Sequence, residues 1–246
     1  MSDNSAPTSN AFTDLMTSLL VLFVLLLVCT LYKIAQDKEA REKREVETSA
    51  AAADVSQSVR KKLHDLGLTL EPVPDDPYSE FIRLDENKVH FETGEPKEGS
   101  TQTALDASGA NVIDRVSDIL AEIICSKEGK SIDSIIIEGH TDKQGDADLK
   151  GKLDNLRLSQ RRSYAVMEEI FHYLNSAKPK SLECFRKLSR STGRGSVDPA
   201  KKCLLGKLTE VRRDDENRRV EIKIRFQTRI VAENTDPSSF CDRVGH

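Results

Sequence analysis

An acidic and a basic side chain in the C-terminal half of the sequence have the chemistry to bind a zwitterion. Asp142 closes the segment GHTD at 139–142, directly after an apolar run, and Arg162 follows in a segment with helical spacing. A carboxylate accepts hydrogen bonds from an ammonium, whereas a guanidinium donates two parallel hydrogen bonds to a carboxylate, which lysine does not do. The same residues are also compatible with a local turn at Thr141 and Asp142, and with a plain ion pair between Asp142 and Arg162.

A further acidic side chain, Asp14, stands at the start of a long apolar run. Charged residues are absent from 15–32, and Thr17 and Ser18 follow Asp14 by three and four residues, which places them on the same helical face. An ionised carboxylate within a bilayer costs about 2.5–3.5 kcal/mol, so such a residue usually has a partner or a function. Two interpretations stay open: an ion-binding carboxyl group flanked by two hydroxyls, or a helix cap at the level of the lipid headgroups.

The apolar run predicts one membrane-spanning helix, assigned to residues 11–32. Its length suits the roughly 20 apolar residues that a helix needs to cross a bilayer. A cleaved signal peptide fits less well, because no Lys or Arg precedes the run and no small-residue cleavage motif follows it. Residues 1–10, rich in Ser, Asn and Thr, are predicted to be a disordered cytoplasmic tail.

Residues 33–77 are predicted to form a linker, in which a charged, Ala-rich helix ends near Gly67 and a proline-rich boundary follows. Val55, Val59, Leu63 and Leu66 would lie along one face of this helix. That face could mediate dimerisation or plugging, or it could pack against the chain's own domain.

Residues 78–246 are predicted to form an α/β domain with helices packed on one face of a mixed sheet. Periodicity predicts two helices, at 104–126 and 155–175. Short apolar or alternating runs predict strands at 81–84, 89–91, 134–138 and 218–226, whereas 178–216 is expected to be irregular.

Motifs in this domain resemble the C-terminal domain of the OmpA family, which peptidoglycan-associated lipoproteins and flagellar stator B subunits share. The pattern is GHTD, a Gly, N-x-x-L-S-x-x-R and then NRRVE, and it occurs here in that order at 139–142, 145, 155–162 and 217–221. The resemblance implies that Asp142 and Arg162 bind the diaminopimelate of peptidoglycan stem peptides, whose side chain ends in an ammonium and a carboxylate. It further implies supporting or pocket-shaping roles for Thr141, Asn155, Leu158, Asn217 and Arg219. The stretch 143–154 is longer than in the shortest family members, which leaves the rim of the pocket undefined.

The segment FTDLMT at 12–17 resembles the start of the span in flagellar stator B subunits, which carry an aromatic residue, then Asp, then a small hydroxyl residue. The resemblance implies that Asp14, with Thr17 and Ser18, takes up and releases the permeating ion, a proton rather than sodium. The partners would be a second copy of the chain and a ring of polytopic, MotA-like A subunits. Because the chain has no Trp and no long basic tail, it resembles the B component of the Zorya anti-phage defence system better than a flagellar part. A flagellar stator B subunit, a passive membrane-to-wall tether, and a regulatory or adhesion module remain alternatives.

Motifs for enzyme chemistry are lacking, so no enzymatic activity and no cofactor are predicted. P-loops, nucleophile elbows and paired catalytic carboxylates do not occur, and Glu138, His140 and Asp142 are too few for a convincing metal site. The net charge of −4 gives no reason to expect nucleic acid as a partner.

Two features bear on the compartment. Cys125, Cys184, Cys203 and Cys241 could form two disulfides in an oxidising compartment, with all three pairings open, or could be buried free thiols. Basic residues after the span, such as Lys33 and Lys38, would place that side in the cytoplasm by the positive-inside rule, although acidic residues alternate with them. The predicted wall-binding domain requires the opposite, so we expect a single-pass inner-membrane protein with a periplasmic C-terminal domain.

Overall fold

One long helix precedes an α/β domain. The computed structural model describes residues 8–74, 76–91, 105–197, 199–204, 207–210 and 214–227. The chain divides into two compact units, Met1–Glu47 and Thr48–His246. The elements, in chain order, are α1 (Thr8–His64), β1 (Leu70–Val73), β2 (Asp76–Asp85), α2 (Ala107–Ile124), a 3₁₀ turn (Glu128–Ser131), β3 (Ile132–Gly139), α3 (Leu149–Ala177), α4 (Pro179–Leu188), β4 (Ser189–Gly193), β5 (Lys201–Leu204), β6 (Lys207–Glu210), α5 (Asp214–Asn217) and β7 (Arg219–Phe226).

The N-terminal unit is helical and apolar. Within the described part of the chain, α1 is the one helix that is long and apolar enough to cross a membrane. Its large apolar side chains, among them Leu19, Phe23 and Leu26, are exposed, an arrangement suited to a lipid environment. The predicted tail, 1–10, lies largely outside the described residues, although the helix already includes residues 8–10.

The C-terminal end of α1 belongs to the core of the second unit. Val55, Val59 and Leu63 are at most 2% exposed and lie in the same apolar cluster as the sheet and the other helices. Burial of a side chain of this size contributes about 1.5–3 kcal/mol. Of the two interpretations of this helical face, the structure therefore supports packing against the chain's own domain.

The main sheet is mixed, with strand order β1-β2-β7-β3-β4. Only β3 and β4 are parallel among these neighbours, whereas the other three pairs are antiparallel. Side chains alternate along β7, so that Val220, Ile222 and Ile224 enter the apolar cluster with buried residues of α2 and α3. The predicted fold class, an apolar N-terminal helix followed by helices on a mixed sheet, is confirmed.

Several local predictions differ from the structure. The predicted boundary before residue 78 contains β1, which pairs with β2 in the main sheet. The segment 178–216, predicted irregular, contains α4, which begins with Pro179 and buries Phe185, and the strand β4. Helix α3 begins at Leu149, before the predicted start, because Asp148 caps it by accepting a hydrogen bond from the Gly151 amide. The predicted strand 89–91 is only an isolated bridge between Phe91 and Leu105.

A disulfide joins the C-terminal end of α2 to α4. Cys125 and Cys184 are bonded, with their Cα atoms 5.8 Å apart. This is one pair from the predicted set of four cysteines. The side chain of Cys203 and the whole of Cys241 lie outside the described residues, so any second pairing stays a prediction.

Candidate functional site

The site forms where the ends of β3 and β4 meet helix α3 at very close range. Gly139 and Gly193 are register partners on the two strands. A Cβ atom at Gly139 would lie 1.9 Å from the Ser159 carbonyl oxygen, and one at Gly193 would lie 2.5 Å from the Gln160 amide nitrogen. Only glycine fits at both positions, so these two residues allow α3 to approach the strand ends directly.

Hydrogen bonds hold the loop after β3 in place. The Thr141 amide donates to the Gly195 carbonyl at 2.9 Å, and the Gly195 amide donates to Ser159 Oγ at 2.9 Å. Asn155 Nδ2 donates to the carbonyl of Gln144 at 2.8 Å and lies 3.4 Å from that of Asp142. The buried Asn155 amide therefore ties the start of α3 to the loop that carries Asp142.

Asp142 is buried at this junction and is paired with a cation that the sequence did not single out. Its Oδ2 accepts a hydrogen bond from Arg218 Nη1 at 2.9 Å, and its Oδ1 accepts one from the Gln144 amide at 3.0 Å. Arg218 Nε also donates to Glu86 Oε2 at 2.5 Å. The hydrogen bond to Glu86 is the main cause that raises the pKa of Arg218 above its ordinary value.

Arg162 reaches the same place from α3. Its Nη1 donates to the His140 carbonyl at 3.2 Å, and its guanidinium lies 5.4 Å from the ring centre of Phe91. Burial lowers the pKa of Arg162, and the charges of Glu86 and Asp142 act against this effect. Asp142 and Arg162 therefore lie near each other, although the direct ion pair of Asp142 is with Arg218.

Two buried polar atoms beside this cluster have no hydrogen-bond partner among the described residues: Thr141 Oγ1 and Arg162 Nε. Buried polar groups are nearly always hydrogen-bonded, so each of these two atoms could pair with a ligand or a water molecule. Leu158 lies one helical turn before Arg162 and is 41% exposed, so an apolar side chain is available at the edge of the site.

The remaining predicted residues lie elsewhere. The alternation of β7 places Arg219 on the sheet face opposite Val220, where its Nε donates to Glu221 Oε1 at 2.6 Å. A pocket role is predicted for Arg219, but its side chain is only 3% exposed and is directed into another cluster. Asn217 Oδ1 accepts a hydrogen bond from the Ala200 amide at 2.8 Å, which is a structural contact.

That second cluster is buried and carries charges of both signs. Glu138, His140 and Glu221 have ligand atoms within 4.8 Å of one another, a spacing that could hold a metal ion. However, Lys223 Nζ contacts Glu138 Oε2 and Arg219 contacts Glu221, so protein cations already occupy both carboxylates. A divalent cation would have to displace them, which makes an ion-pair network the better interpretation.

Glu221 is strongly affected by this network. Burial by itself would raise the pKa of its carboxyl group, but the charges of Arg219 and His140 and the hydrogen bond from Arg219 outweigh burial. Together they lower the pKa of Glu221 from 4.5 to about 2.

The acidic residue of the apolar helix is well inside α1. The helix begins at Thr8, so Asp14 is not its capping residue, and the cap interpretation loses support. Thr17 Oγ1 and Ser18 Oγ each donate to the main-chain carbonyl of Asp14 at 2.9 Å. The two hydroxyls share the face predicted for them but leave the exposed carboxylate available for another ligand.

Sequence reasoning missed Arg218, Glu86 and Phe91 as residues of the site. The sequence does contain a signal for Arg218, because it lies beside Arg219 in the NRRVE segment. Since β7 begins at Arg219, the two neighbouring side chains point in different directions. Glu86 and Phe91 carried no such signal, since only the tertiary structure brings the turn after β2 to α3.

A cavity of about 560 Å³ lies apart from this site, between the end of α1, α2 and α3. Two of its lining carboxylates are paired with lysines, Glu122 with Lys62 and Asp118 with Lys178.

No family model matches the chain. The sequence is 31% identical over 160 residues to the Zorya protein ZorB of Escherichia coli O139:H28. The match covers 64% of this chain and 58% of that protein, so the chain aligns with less than two thirds of its relative. The predicted resemblance to the B component of Zorya systems is confirmed by this similarity.

Solved structures with a similar arrangement include the periplasmic domain of Helicobacter pylori MotB, at 20% identity and a TM-score of 0.42. That match covers 66% of this chain and 81% of the MotB domain. Another is the cell wall anchor of the T6SS from Pseudomonas aeruginosa, at 16% identity and a TM-score of 0.41, covering 70% of this chain and 97% of the anchor.

Proposed function

We propose, from the similarity to ZorB and from the site geometry, that this chain is the B subunit of a proton-driven motor complex in the inner membrane. The complex would be anchored to peptidoglycan and would serve anti-phage defence. Two copies would supply their apolar helices to a ring of polytopic, MotA-like subunits, and their second units would bind the cell wall. Wall anchoring makes the B dimer stationary, so that ion flow past Asp14 turns the ring.

The observation that carries the wall-binding part is the cluster around Asp142. Asp142 supplies an acceptor for an ammonium, and Arg162 supplies a donor fork with an unpaired Nε. Thr141, directly before Asp142, adds a buried hydroxyl without a hydrogen-bond partner in the described part of the chain. This set matches the ammonium and carboxylate at the end of a diaminopimelate side chain.

The disulfide supports a periplasmic location for the second unit. Disulfides persist in oxidising compartments and are rare in the cytosol. The Cys125–Cys184 bond therefore favours the topology required by the wall-binding domain over the one suggested by the basic residues after the span.

Co-sedimentation with purified peptidoglycan tests wall binding. We expect the detergent-solubilised full-length chain to sediment with sacculi, and Asp142→Asn or Arg162→Ala to weaken binding about 10- to 100-fold, since hydrogen bonds to charged groups contribute about 1.5–3 kcal/mol. Glu183→Gln is a matched control, because Glu183 forms an exposed ion pair with Arg186 on α4. Equal sedimentation of all four proteins would contradict the assignment of the site.

A phage-protection assay tests ion conduction. Cells that express the chain with its polytopic partner should lose protection with Asp14→Asn, because the amide cannot cycle between charged and neutral forms. Glu42→Gln is the control, since Glu42 is an exposed partner of Lys38 beyond the apolar run. Intact protection with Asp14→Asn but not with Arg162→Ala would favour the passive tether. Restored motility in a stator-deficient strain would favour the flagellar alternative.

A further inference from the structure

A single guanidinium, that of Arg218, bridges two carboxylates from separate parts of the chain. It contacts Glu86, in the turn after β2, and Asp142, in the loop after β3. The Asp142 side chain is 7% exposed, whereas those of Glu86 and Arg218 are each 31% exposed. The side of this bridge formed by Glu86 and Arg218 is therefore partly open to solvent, whereas Asp142 is buried.

Arg162 completes a set of four charged groups. Its Nη1 donates to the carbonyl of His140, two residues before Asp142, and the charges of Glu86, Asp142 and Arg218 all act on the pKa of Arg162. Two carboxylates and two guanidiniums sum to no net charge. A zwitterion adds no net charge to such a set, so its binding leaves the charges balanced.

We propose that Glu86 is a positioning residue of the peptidoglycan site and acts by holding Arg218; this inference rests on the proposed function. Arg218 Nη1 donates to Asp142 Oδ2, an oxygen that a ligand ammonium would use. Glu86 holds the other side of the fork through Nε. Arg218 can therefore leave Asp142 and remain paired, which releases Asp142 for the ammonium.

Removal of the Glu86 charge would change the competition for Asp142. With Glu86 neutral, the charge that attracts Arg218 away from Asp142 would be lost, and Arg218 would pair more strongly with Asp142. The ligand ammonium would then have to displace a stronger partner. Glu86 therefore supports affinity for the zwitterion through Arg218 and without touching the ligand itself.

Calorimetry on the full-length chain in detergent tests this proposal. The probe is the tripeptide L-Ala–γ-D-Glu–meso-diaminopimelate. We expect Glu86→Gln to weaken its binding about 5-fold, the upper range for a partly exposed ion pair. Glu86→Asp should restore most of the affinity, and the control Glu183→Gln should bind as the wild type does.

A double-mutant cycle separates this role from a merely structural one. In an Arg218→Gln background, Glu86→Gln should cause no further loss, because Glu86 acts through Arg218. The same loss in both backgrounds, or wild-type affinity for Glu86→Gln, would overturn the proposal. The Glu86→Asp comparison keeps it testable should Arg218→Gln fail to fold.

The failure of this inference is distinguishable from failure of the proposed function. If the wild type binds the tripeptide and Asp142→Asn abolishes binding while Glu86→Gln has no effect, only the role of Glu86 is wrong. If the wild type does not bind the tripeptide at all, the peptidoglycan function itself is wrong, and the role of Glu86 with it.

Discussion

The disulfide between Cys125 and Cys184 should contribute a large share of the stability of the second unit. The two residues are 59 positions apart in the sequence. A cross-link that closes a loop of this size removes about 14 cal/mol/K of entropy from the unfolded chain, or about 4 kcal/mol at 25 °C. A domain is typically stable by only about 5–15 kcal/mol, so the double variant Cys125→Ser, Cys184→Ser should lose a substantial fraction of its stability.

Urea denaturation of the full-length chain in detergent measures this effect, with tyrosine fluorescence as the signal because the chain lacks Trp. We expect the double serine variant and the dithiothreitol-reduced wild type to lose similar stability, about 2–4 kcal/mol in practice. Cys29→Ser is the control, because Cys29 is a free, exposed cysteine of the apolar helix.

Two results would refute the reasoning about the disulfide. One is a difference of less than about 1 kcal/mol between the oxidised wild type and both perturbed forms, below the usual range for a native disulfide. The other is a peptide map of protein purified from an oxidising compartment that shows Cys125 linked to Cys203 or Cys241.

Three further variants test the fold around the site. The pKa of Glu221 is lowered to about 2 in the folded state, so the stability contributed by its carboxylate is present above pH 4.5 and is lost as the pH falls from 4.5 towards 2. Over that range, the free energy of unfolding of the wild type should fall by about 3 kcal/mol more than that of Glu221→Gln. Urea titration at each pH measures this difference. Gly139→Ala should prevent stable packing of α3, visible as lost protease resistance, since its Cβ would overlap the Ser159 carbonyl oxygen; wild-type resistance would contradict this steric argument. Leu63→Ala should lower the free energy of unfolding by about 2–5 kcal/mol, because Leu63 at the end of α1 is buried in the core. An unchanged unfolding midpoint would instead favour the interpretation that this helical face contacts a partner.

Local sequence signals were sufficient for the elements with strong periodicity. The charge-free run after Asp14 predicts the apolar helix, and alternation in 218–226 predicts the last strand, because burial on one face imposes a period of two. The motif order likewise predicts that Asp142 and Arg162 lie in one site. In the structure, α3 places Arg162 against the loop that carries Asp142, where it contacts the His140 carbonyl.

Elements without such a pattern could not be predicted. Strand β4 reads SRSTG and has no apolar run, so only its parallel pairing with β3 makes it a strand. The early start of α3 depends on the Asp148 cap, which a search for apolar spacing passes over.

The sequence by itself determined the apolar helix, the fold class and the positions of Asp142 and Arg162, because periodicity and charge are properties of neighbouring residues. Only the tertiary structure decided which partner Asp142 has, since Glu86, Asp142 and Arg218 come from segments far apart in the chain. The tertiary structure also gives the two adjacent arginines different partners. Arg218, just before β7, contacts Asp142, whereas Arg219, within β7, lies on the same sheet face as Glu221 and joins its buried network.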